Sequence, residues 1–164
     1  MNKRTWLAIL ALCLFELLSA RYAQRRLFLD LPLVVAVYFG LKGEPIRATV
    51  AGTLVGLMQD FLWNLPLGIN GLAKTLAGFV AALAGRYFIV DSVAAQLTLL
   101  LLMGILNAAV FVGMAATLDL FLPHAFWRHC ALQIAVTSVA GILVFKVLGR
   151  AESERVTPLG KRYR

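Results

Sequence analysis

Cysteine is scarce, acidic residues are few, and no long polar segment appears before the last fifteen residues. The two cysteines, Cys13 and Cys130, each lie inside or beside an apolar run, so neither a disulfide framework nor a metal motif is suggested. Both are expected to act as small buried hydrophobes. Catalytic signatures are missing as well: no serine with a base at recognisable spacing, no HExxH, no paired carboxylates on one helix, no Walker sequence and no dinucleotide fingerprint. Nothing in the sequence requests a catalytic site, a cofactor or a resident metal. His124 and His129, five apart near Trp127, are poorly spaced for two ligands on one helical face and are expected at an interface.

What is present is apolar. Of 164 residues 61% are hydrophobic, with a mean hydropathy of +0.83, and a soluble domain of this size has no interior large enough to hide that much. The composition predicts an all-α integral membrane protein. Because one span needs roughly 20 apolar residues, the chain has room for about six. Reading between charges gives candidate spans at 5–20, 27–41, 46–63, 69–87, 93–122 and 130–148. The first two are short and the fifth is long, which thinning and tilt accommodate. Turn chemistry separates them at KGEP (42–45), NLPLG (64–68) and LPH (122–124). Pro32 fits near the start of the second span, where its missing N–H costs little.

The N-terminus looks like a secretory signal, with Lys3 and Arg4 before an apolar run. Cleavage after Ala20 would put Leu18 where a small residue is wanted, and Glu16 interrupts the run. An uncleaved first helix is expected. Residues 1–149 then form a single polytopic membrane domain, and 150–164 a charged, disordered cytoplasmic tail.

The formal charge of +8 does not indicate nucleic acid, because the cations are spread over loops and termini; orienting the helices explains them better. With six spans and both termini inside, the inner side holds Lys3, Arg4, Lys42, Arg47, Arg86, Lys146, Arg150, Arg155, Lys161, Arg162 and Arg164. The outer side holds Arg21, Arg25, Arg26, Lys74 and Arg128. Eleven against five favours both termini in the cytoplasm.

Within this apolar background the stretch GLMQDFLWNLPLGINGLAKT, residues 56–75, carries Gln59, Asp60, Asn70 and Lys74. Ala48, Gly52, Gly56 and Asp60 recur every four residues and drift by only about 40° per step along one helical stripe. Ala77, Gly78, Ala81, Ala82 and Gly85 fall within about 80° of Lys74. Small residues so placed let helix backbones approach closely, which makes Gly52, Gly56, Gly71 and Gly78 the expected helix-packing positions.

At about 1.5 Å per residue, Asp60 and Lys74 lie about 4.5 and 7.5 Å inside the same outer boundary, which makes an Asp60–Lys74 pair geometrically reasonable. Three roles remain open for this cluster. It fixes the hairpin, with Gln59 and Asn70 supplying hydrogen bonds; it contacts a partner protein; or it binds a ligand. Lys74 snorkelling outward is the alternative to pairing. Glu16, Asn107, Asp119 and Gln133 are weaker candidates for inward-facing polar groups, and Asp30 is expected at an interface.

The segment from Asp30 to Gly85 resembles the bacterial rod shape-determining protein MreD family. The resemblance is carried by the short second span ending in YFGLKG, the GxxxGLMQD run of Gly52 to Asp60, and the PLGINGLAKTLAGF run of Pro66 to Phe79. It covers about a third of the chain; the other spans agree mainly in hydropathy. It implies a non-enzymatic inner-membrane subunit of the cell-elongation machinery. Its partners would be an MreC-like protein, a RodA-type glycosyltransferase, a class B penicillin-binding protein and actin-like MreB, in a setting of membrane lipids. The implied fold is similar to the S component of energy-coupling-factor transporters.

That similarity supplies a rival reading, a substrate-binding subunit of a small-molecule transporter. S components carry an alanine-xxx-alanine coupling surface on the first helix, whereas here Ala8 is followed by Leu12 and Ala11 by Phe15. A second rival, a small intramembrane enzyme, rests only on the cluster around Asp60.

Overall fold

In a computed structural model the residues described are 29–42, 44–87, 92–121 and 125–153, with side chains described as far as residue 147. They form five α-helices and no strand: α1 (Leu31–Leu41), α2 (Pro45–Leu62), α3 (Ile69–Tyr87), α4 (Val93–Thr117) and α5 (Phe126–Ser153). The expected first span lies outside the described residues, as do Cys13, Glu16 and His124.

Local chemistry sets the helix ends. Asp30 caps α1, its carboxylate accepting from Leu33 N–H at 3.1 Å, and Pro32 pre-sets the backbone of the first turn. Pro45 opens α2 in the same way, and the Ser92 hydroxyl caps α4 through Ala95 N–H at 3.1 Å. Two helices close on a left-handed residue. Asn64 has φ 51° after α2 and Asp119 has φ 50° after α4. In each case the next amide bonds back five residues into the helix, Leu65 N–H to Asp60 O at 3.0 Å and Leu120 N–H to Ala115 O at 2.9 Å.

This ending explains one difference from the expected fifth span. Asp119 stops α4 before the apolar run ends, and it is exposed there, not turned into the bundle. At the other end α5 continues through Ser153, so the first residues of the expected tail are helical.

α1 is the centre of the fold. Every residue from Leu31 to Gly40 is buried, and the helix packs against α2, α3, α4 and α5. Leu33, Val34, Val37 and Tyr38 join Ala77 and Ala81 of α3, Leu99, Leu100 and Met103 of α4, and Phe145 of α5. On its other side Val35 and Phe39 meet Ala48 and Ala51 of α2 and Ala82 of α3.

α1 and α3 run parallel, because Ala36 lies beside Gly78 and Gly40 beside Ala81. α2 and α3 form an antiparallel hairpin in constant register: Ala48 opposes Gly78, Gly52 opposes Lys74, and Gly56 opposes Asn70. A Cβ on Gly56 would lie 2.5 Å from the Asn70 carbonyl oxygen, one on Gly78 would lie 2.7 Å from that of Ala48, and one on Gly52 would overlap that of Lys74. Glycine here allows backbone to rest on backbone.

The outward faces are apolar. Leu54 and Phe61 on α2, Leu102 and Ile105 on α4, and Leu132, Val136, Val139, Leu143 and Val147 on α5 are all exposed. Two helical segments, Val93–Thr117 and Phe126–Val147, are long and apolar enough to cross a membrane.

Candidate functional site

The polar cluster is built where α2 turns into α3. A helix begins with backbone N–H groups that have no partner within the helix, and a side chain just before the first turn commonly satisfies one of them. α3 begins after Gly68, which has no side chain and adopts φ 107°. Asp60, from the end of α2, takes over the task. Its Oδ1 accepts from Asn70 N–H at 3.0 Å and from the Asn70 side-chain amide at 2.8 Å. Its Oδ2 accepts from Gly68 N–H at 2.9 Å and Gly71 N–H at 3.2 Å.

Asp60 is fully buried, and its carboxylate is held by four donors at the positive end of the α3 dipole. The same residue also supplies the carbonyl that closes α2. Asp60 therefore ends one helix and begins the next.

This occupancy explains why the expected Asp60–Lys74 pair is not formed. Lys74 is fully buried, and its Nζ lies 3.0 Å from Asp30 Oδ2. Parallel packing of α1 on α3 brings Asp30 to that depth: Ala36 is level with Gly78, so the residue before α1 falls level with the second turn of α3. Asp30, expected at an interface, is instead 2% exposed.

Asp30 joins three helices. Its Oδ1 caps α1, its Oδ2 faces the ammonium of α3, and its N–H donates to Thr137 Oγ1 of α5 at 2.9 Å. The ammonium approaches Asp30 as an ion pair and makes no directed hydrogen bond. Two charges out of water are stabilised only if they stay together.

The remaining expected residues divide. Asn70 supplies hydrogen bonds to Asp60, whereas Gln59, 1% exposed, leaves its Oε1 without a partner. Gly52, Gly56 and Gly78 lie on the α2–α3 contact, and Gly71 faces the Leu57 side chain. Asn107 on α4 is half-buried with an unpartnered Oδ1, Gln133 is half-buried, and Cys130 is partly buried with a free thiol.

The sequence reading missed the hydroxyls of Thr53 and Thr75, which meet at 2.6 Å across the hairpin. Each also approaches a carbonyl of its own helix, Thr49 O at 2.9 Å and Gly71 O at 2.7 Å. Two hydroxyl protons serve only two of these three contacts at a time. It also missed Asp30 and Thr137. For Asp30 a signal existed: an aspartate immediately before an apolar run with proline at its second residue is a helix start. Among the described residues no group of three potential metal ligands forms.

Comparison with protein-family models, characterised proteins and solved structures finds no match to the chain.

Proposed function

We propose that this chain is a multi-pass inner-membrane subunit of the bacterial cell-elongation machinery. In this reading it binds an MreC-like protein and peptidoglycan synthase partners, and it maintains cell shape by positioning them. The observation that carries the reading is the occupancy of Asp60. Its carboxylate is engaged by four N–H donors, and the second buried charge, Lys74, is matched by Asp30. Groups so engaged hold a scaffold together and leave little capacity for proton transfer or for a ligand.

The segment that resembles the MreD family, Asp30 to Gly85, coincides with α1, α2 and α3, which pack closely on one another. Two helices of spanning length and a large outward apolar surface support a place in the bilayer. In the full arrangement α1 to α5 are spans two to six, both termini are cytoplasmic, and the fold is of the S-component kind.

The test is purification of the full chain from its native cells in mild detergent, followed by identification of co-purifying proteins. Recovery of an MreC-like protein with cell-wall synthases is the expected result. Recovery of an ATP-binding cassette ATPase with a bound vitamin, and no cell-wall proteins, would overturn the proposal in favour of transport.

A further inference from the structure

We draw no further inference here: the strongest candidate, the outward face of the α2–α3 hairpin around the paired Thr53 and Thr75 hydroxyls, with Leu57, Leu72 and Phe79 exposed on the same two helices, is an apolar surface patch, and nothing in the structure shows what covers it.

Discussion

Lys74 Nζ lies 3.0 Å from Asp30 Oδ2, and both residues are buried, so the central charge pair joins α1 to α3 and does not run along the hairpin. Removing one partner strands the other in an apolar core, at a cost of about 3–5 kcal/mol. Asp30→Ala and Lys74→Ala are each expected to lower the midpoint of thermal unfolding in detergent strongly. The double variant should lose less than the two single losses combined. Strict additivity across this cycle would remove the pair.

Asp60 bonds to four donors, and no neutral replacement accepts them all. Asp60→Ala should destabilise the chain by about 3 kcal/mol or more, because hydrogen bonds to a charged group contribute about 1.5–3 kcal/mol each. Asp60→Asn should recover only part of that, since its amide nitrogen faces N–H groups. Asp119→Ala, at an exposed helix end, should cost far less. Wild-type melting, partner recovery and cell shape in both alanine variants would refute this ranking.

Gly52 and Gly56 rest on the backbone of α3, whereas Gly113 of α4 has nothing within 4 Å of an added Cβ. Gly52→Ala and Gly56→Ala should force the hairpin apart and reduce the yield of folded protein. Gly113→Ala should be neutral or stabilise by up to about 1 kcal/mol, through lower backbone entropy in the unfolded chain. Comparable monodisperse yields from all three would contradict the register.

The Thr53–Thr75 contact predicts a smaller effect. Thr53→Val keeps the shape and deletes one hydroxyl, which should cost about 1 kcal/mol. A Thr53→Val, Thr75→Val cycle without coupling would show that each hydroxyl serves only its own helix.

Helix geometry was readable from the residues alone, and α3 begins at Ile69, as the expected fourth span does. The small-residue stripes through Gly52, Gly56 and Gly78 also marked positions of close approach. The partner of Lys74 was not legible. Depth along one hairpin places Asp60 near it, but only the parallel packing of α1 on α3 brings Asp30 there, and that is a tertiary fact. The role of Asp60 was hidden for a related reason: its donors are backbone N–H groups, which leave no mark in a sequence. The early end of α4 turned on one residue, Asp119, entering the left-handed region inside an apolar run.

The bond from Asp30 N–H to Thr137 Oγ1 spans 107 residues, and this sets an order on synthesis. α1 is made before α5, yet the hydroxyl that receives the amide preceding α1 belongs to α5, the last of the described helices. Until α5 has emerged and joined, Asp30 has no Thr137 hydroxyl and α1 has no Phe145 against it. The described bundle is thus completed by α5, and a nascent chain stopped before Thr137 carries α1 with one of its described walls missing.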